Sequence, residues 1–231
     1  MELKSVMSKI RERLESLESQ LSKSLDARTV SRNAKLPWKA MIIREVLSWR
    51  MAELSGSAFE NFERDRLATA IVLTRAAMET SAVLWYLSGK VAAAVDAKAV
   101  GDIDGYLMRL MMGSRTDSAL MQPVNVLTMV DHVAKEVDGF RHQYDVLCEY
   151  THPNWAGTSL LYLKHNEVTR VTDFAQNIRN AENSKSIGVL NLRGCDFFEN
   201  SSGWQMHPKF FCWFLELRCR HGQQKTRCVR R

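Results

Sequence analysis

The sequence predicts a mainly α fold, an up-and-down helical bundle with one small β-hairpin. Three observations predict it. Apolar residues recur at helical spacing in long stretches between residues 3 and 150. Only one pair of short β-branched and aromatic runs, "TSLLYL" and "VTRVTDF" on either side of "KHNE", has strand character, which places a single hairpin at about 158–174. Between the two longest helical stretches the polar break "RDR" at 64–66 is short, as a tight antiparallel reversal requires.

Taken in order, Leu3, Met7, Ile10, Leu14, Leu17 and Leu21 are spaced 4, 3, 4, 3, 4, a heptad seam within an N-terminal helical region over 1–30. Nearly three heptads suit either a helix laid against the body or a dimerising helix. "DARTVSRNAKLPW" breaks the pattern, and Pro37 can sit in the first turn of the next helix, where its missing N–H costs nothing. That helix runs to about Glu63, with Met41, Ile42, Val46, Trp49, Leu54, Phe59 and Phe62 as its apolar face and Gly56 as a place to kink. "RDR" at 64–66 is a tight reversal. Residues 67–95, rich in Ala, Leu and Met and apolar on nearly every face, form the central buried helix. "DIDGYLMRLMMG" is a shorter helix and "SRTDSALMQP" a loop. A helical pattern from Val124 continues through Phe140, Tyr144 and Leu147, with a break offered by Asp138-Gly139, and stops at Pro153. "NIRNAENSKS" reads as a polar connection, and "SIGVLNL" begins another apolar segment.

Charge and cysteine separate the last part of the chain from the rest. The net charge is +6, but residues 1–194 hold 25 Lys/Arg against 23 Asp/Glu and residues 195–231 hold 7 against 3. The body (31–194) is therefore close to neutral, which gives no general attraction to nucleic acid. Four of the five cysteines, Cys195, Cys212, Cys219 and Cys228, lie in the basic tail, which is expected to be poorly ordered and to add little to the core. Their spacings match no pattern of paired zinc ligands, so no metal and no cofactor is expected. The N-terminus has no signal-peptide pattern, and few cysteines lie in the body, so a reducing, cytoplasmic setting is expected. The longest uncharged run of the apolar helix, Thr80 to Gly89, is too short for a bilayer, and no membrane partner is expected.

Two groups of residues could carry chemistry. Arg75 and Glu79 lie one turn apart in the most apolar helix, where opposite charges are costly unless paired and hydrogen-bonded. They fall on one stripe with Val72, Val83 and Tyr86. They read as a structural ion pair or as the polar centre of a partly wet pocket. The second group is "EYTHPNW". His152 follows Glu149 by three residues and Asp145 by seven, so both carboxylates could orient its ring, and Asn154 can cap or donate just beyond. The bland reading is a helix stop; the sharp reading puts His152 at the last turn, facing the Arg75/Glu79 stripe. Trp155 reads as a core plug between helix and hairpin. Cys148 and His152, at i and i+4, have nucleophile–base spacing without an evident oxyanion loop.

"LATAIVLTRAAMETSAVLWYL", followed some sixty residues on by "YDVLCEYTHPNWAG", resembles the HEPN-like helical proteins of bacteria, which include uncharacterised families and families linked to abortive infection and toxin–antitoxin systems. The resemblance covers about residues 37–174. It implies a helical bundle, often a homodimer, with polar residues gathered at the dimer cleft. In active members it implies a metal-independent ribonuclease with Arg-x(4–6)-His on one helix. This chain departs there: Arg141 precedes His152 by eleven positions, so Arg75 would have to supply the guanidinium. Two functions are expected from it. In one, a defence or toxin component cleaves RNA, with His152 moving the proton, Arg75 neutralising the phosphate, and Glu79, Tyr144 and Asn154 holding the substrate. In the other, a non-catalytic module dimerises or binds a partner protein.

Overall fold

The computed structural model describes residues 3–30, 35–179 and 181–195. The expectations for the Cys-rich tail fall outside the described residues, apart from Cys195. The described chain is mainly helical: α1 (Leu3–Ser19), α2 (Ala27–Val30), α3 (Lys35–Glu63), α4 (Leu67–Asp96), α5 (Ile103–Met112), α6 (Val126–Ala134), α7 (Phe140–Thr151), α8 (Ser159–Tyr162) and α9 (Ala181–Cys195), with strands β1 (Leu163–His165) and β2 (Thr172–Phe174). The strands pair antiparallel, with Leu163 opposite Phe174, Lys164 opposite Asp173 and His165 opposite Thr172. They are the only sheet among the described residues.

The chain forms two compact units. Described residues 3–21, 47–83 and 126–195 make the first, and 22–46 with 84–125 the second. In the first unit, α3 turns back into α4 through Arg64, Asp65 and Arg66. Arg66 N donates to Asn61 O at 2.9 Å, and Asp65 takes the left-handed conformation that a one-residue reversal needs, with φ 55°. The returning helix packs antiparallel: Phe62, Leu67, Ile71, Ala77, Met78 and Ala82 are all buried. Val6, Ile10 and Leu14 of α1 are buried too, and α1 lies against α9, with Arg11 paired to Glu63 and stacked 5.2 Å over the Phe59 ring. The heptad seam is thus used within the chain, and the helix ends at Ser19, short of the expected 30.

The second unit is braced by Lys39 to Asp104 at 2.6 Å and by Lys90, which pairs with Asp102 at 3.1 Å beneath the rings of Tyr86 and Tyr106. Arg109 donates to the carbonyls of Gln122 and Pro123, tying the 113–125 loop back onto α5. Burial pushes the Tyr106 hydroxyl well above its ordinary range.

Several expectations change. "TSLLYL" is not a strand: Ser159–Tyr162 is a helical turn, and the hairpin shrinks to three residues a side. The reason is local, because Leu161 is buried while the amides of Leu160, Leu161 and Tyr162 bond back to residues 155–158, a pattern no extended strand can make. Val46 and Trp49 are exposed; Phe59 and Phe62 are buried as expected, and the face that α3 buries continues through Ile43, Met51, Ala52 and Ala58. The long segment after Val124 does split at Asp138-Gly139, where Gly139 has φ 76°. Helix α4 has the length and hydropathy to cross a membrane, but 61% of its most apolar window is buried inside the protein, as for the core helix of a bundle.

The polar "NIRNAENSKS" is in part the start of α9, which docks through a glycine. A Cβ at Gly188 would lie 2.5 Å from Cζ of the fully buried Phe62 and 3.3 Å from Ile71 Cγ1. Alanine is the better helix former by about 1 kcal/mol, but overpacking against an immobile ring costs about 1–3 kcal/mol. Gly188→Ala should therefore lose up to about 2 kcal/mol net in urea unfolding, in contrast to the ordinary gain from Gly→Ala inside a helix.

Candidate functional site

The structure brings three of the five predicted site residues together in the first unit. Arg75 and Glu79 on α4 pair at 3.0 Å, with side chains 30% and 25% exposed. Tyr144 on α7, 2% exposed, closes the group. Arg75 Nη2 donates to the Tyr144 hydroxyl at 3.1 Å, and that hydroxyl donates to Glu79 Oε1 at 2.8 Å. The guanidinium also stacks on the Tyr144 ring, 5.4 Å from its centroid. Each partner supplies what another lacks: the arginine only donates, the carboxylate only accepts, and the phenol does both.

The electrostatics follow. Burial works against charge on Arg75, but the bond to Tyr144 and the nearby Glu79 carboxylate outweigh it, and its pKa rises. Burial, above all, pushes the Tyr144 hydroxyl up to about 12. The Arg75 bond opposes that rise, and Glu79, which would face a phenolate, adds to it. Tyr144 is therefore a neutral donor near pH 7, not a base.

His152 and Asn154 share no hydrogen bond or ion pair with this group among the described residues. His152 is exposed at the end of α7, where its backbone turns extended (φ −81°, ψ 150°) and its N–H bonds the Cys148 carbonyl. Its ring makes no hydrogen bond among the described residues, and the two carboxylates expected to orient it are engaged elsewhere. Asp145 accepts from Arg141 Nε at 3.0 Å, and Glu149 accepts from Asn154 Nδ2 at 2.6 Å. Cys148 is half-buried, with no side-chain bond to His152. Trp155, expected as a core plug, is 62% exposed.

Asn154 builds the turn. Its side-chain oxygen accepts from the amides of Ala156 and Gly157 at 3.0 and 3.1 Å, and its carbonyl accepts from the Thr158 amide and hydroxyl. Gly157 then packs directly on the carbonyl oxygens of Tyr150 and His152, where any Cβ would collide. "HPNWAG" is thus a helix stop that folds the chain back over the last turn of α7. Sequence reasoning missed this role of Gly157 and the packing role of Gly188; a glycine inside an otherwise periodic segment was the available signal for the second.

Among the described residues no three His, Cys, Asp or Glu side chains cluster to hold a metal ion. Comparison with family models, with curated proteins and with solved structures gives no match for this chain.

Two outcomes test the network. Removing one partner strands the other, so Arg75→Ala should cost about 1–3 kcal/mol in denaturant unfolding, a fully buried pair's loss reduced for partial exposure. The double change Arg75→Met with Glu79→Leu should cost clearly less than Arg75→Ala alone. The second outcome concerns alkaline pH. A phenol with a folded-state pKa of about 12, against an ordinary 10, favours the fold fully below pH 10, and that contribution is lost as pH rises through 12. Stability should fall between about pH 10 and 12, and Tyr144→Phe should flatten the fall.

Proposed function

We propose that this chain is a HEPN-like helical module that works by association, pairing with a second copy of itself, and that it is not a nuclease. One observation carries the reading. Arg75, Glu79 and Tyr144 satisfy one another, whereas His152 stands in solvent with no carboxylate to orient it. A phosphate placed on Arg75 would have to compete with both Glu79 and Tyr144, and no aligned base would gain from its arrival.

The hairpin supports self-association. Val168 is 93% exposed and Phe174 74%, and Val171 of the same hairpin is exposed too, more apolar surface than an isolated hairpin leaves without use. The hairpin also presents Lys164, Glu167, Arg170 and Asp173, two of each sign, all exposed and none ion-paired among the described residues. A neutral patch of mixed sign repels polyanions as much as it attracts them, yet a two-fold copy can set each cation against an anion.

Two measurements on the full chain test this. Sedimentation velocity should show a concentration-dependent dimer that Val168→Ser with Phe174→Ser converts to monomer at least tenfold more readily. Incubation with total RNA should leave the RNA intact for both the parent and His152→Ala. Cleavage by the parent that is lost in His152→Ala would overturn the proposal in favour of the ribonuclease, and a chain monomeric at all concentrations would remove self-association.

A further inference from the structure

Two buried polar atoms in the described chain have no partner: Arg75 Nε on α4 and Asn191 Oδ1 on α9. One is a donor and the other an acceptor. Asn191 is 6% exposed, and its amide nitrogen is already held by the Ile187 carbonyl at 2.9 Å, which fixes the oxygen as the free end.

Contacts along α9 set the height of Asn191 against both neighbouring helices. On the α4 side, Lys185 reaches Asp65, in the reversal just before α4, at 2.6 Å and Gly188 sits on Ile71 within α4, so α9 runs in the same direction as α4. Asn191 is three residues beyond Gly188 and Arg75 four beyond Ile71, rises of roughly 4.5 and 6 Å. On α7 the direction is opposite: Tyr150 and Ser184 hydroxyls meet at 3.4 Å, and a Cβ at Gly194 would lie 3.6 Å from Gln143 Oε1. Asn191 falls between these marks, level with Tyr144 and Asp145. Helical rotation turns it from the Ile71 side of α9 toward the α7 side, the groove in which Tyr144 holds Arg75.

We propose that Arg75 Nε and Asn191 Oδ1 share one buried hydroxyl ligand, a single water molecule, which extends the Arg75–Glu79–Tyr144 network to α9. The chemistry selects the ligand. It must accept from an N–H and donate to an amide oxygen, which a water does and which a carboxylate or an ammonium does not; a phosphate has both functions but would bring a buried negative charge beside Glu79. Two fixed polar partners lie within the range that holds buried water. Asn191 is then a positioning residue for Arg75, tying the helix that follows the hairpin to the charge pair.

The test uses the full chain. In NMR, the Arg75 Hε resonance should be protected from exchange and show a cross-peak to a long-lived water. Asn191→Leu should abolish that cross-peak while leaving the raised Tyr144 pKa in place. A double-mutant cycle of Asn191→Leu with Arg75→Lys, which keeps the charge but lacks Nε, should depart from additivity by at least about threefold in the unfolding constant. Absence of a water cross-peak at Hε in the parent, its persistence in Asn191→Leu, or a departure from additivity smaller than about threefold would each overturn the proposal, and the first needs no variant to fold.

Discussion

The structure is organised by the need to carry two opposite charges in the most apolar helix of the chain. Arg75 and Glu79 are mostly covered, with side chains 30% and 25% exposed, and Arg before Glu at i, i+4 is the weaker orientation for a helical pair. Alone they would gain little from each other against the loss of water. Tyr144 changes the balance. It gives Glu79 a neutral donor at 2.8 Å and Arg75 an acceptor and a ring face, so the pair is solvated by a side chain. The bond is directional, so it also fixes where α7 lies on α4 and how far it is rotated. Everything after α7 inherits that position.

The inheritance passes through the turn at 152–158. With α7 placed, Asn154 gathers the backbone amides of residues 156 and 157, and Gly157 lies against the helix-end carbonyls. The short helical turn α8 follows, buries Leu161, and launches the two strands. Ile178 N returns to Leu161 O at 3.1 Å and Asn177 reaches the Asp65 carbonyl, so the hairpin's far end is brought back beside the α3–α4 reversal before α9 starts. The hairpin is thus held at its base while its tip, around Val168, stays in solvent.

How much of this the sequence made legible depends on the range of the forces involved. Helix existence was readable because periodic burial is written residue by residue: Phe140, Tyr144 and Leu147 on α7 are buried as their spacing requires. The Arg75–Glu79 pair was readable because charges in an apolar helix demand an explanation. Its third member is not legible as a partner from local sequence: spacing marks Tyr144 only as a residue on the buried face of α7, and the packing of two helices 65 residues apart makes it the bridge. Trp155 and Val46 misled, because an apolar side chain states that burial is favourable and not that a neighbour is available. "TSLLYL" misled for a different reason. Its β propensity is real, but tertiary context sets strand against helix in so short a segment, and the turn centred on Asn154 supplies the amide acceptors that wind it into a helix.

The position of His152 separates two uses of one motif. A histidine at a helix stop becomes a catalytic base when a carboxylate holds one ring nitrogen and a cation waits at the other. Here the carboxylates on the same helix are spent on structure: Asp145 on Arg141, which also pairs with Asp131 to tie α6 to α7, and Glu149 on the amide that makes the turn. Arg75 is spent on Tyr144 and Glu79. To assemble a catalytic site from these residues, the chain would have to release at least two interactions that fix its helices. An active site that must break its scaffold before substrate binds gains nothing from preorganisation. The same commitments hold the base of the hairpin, with its exposed Val168 and its balanced charges, at a fixed place on the surface, which is what the proposed recognition by a second copy would need.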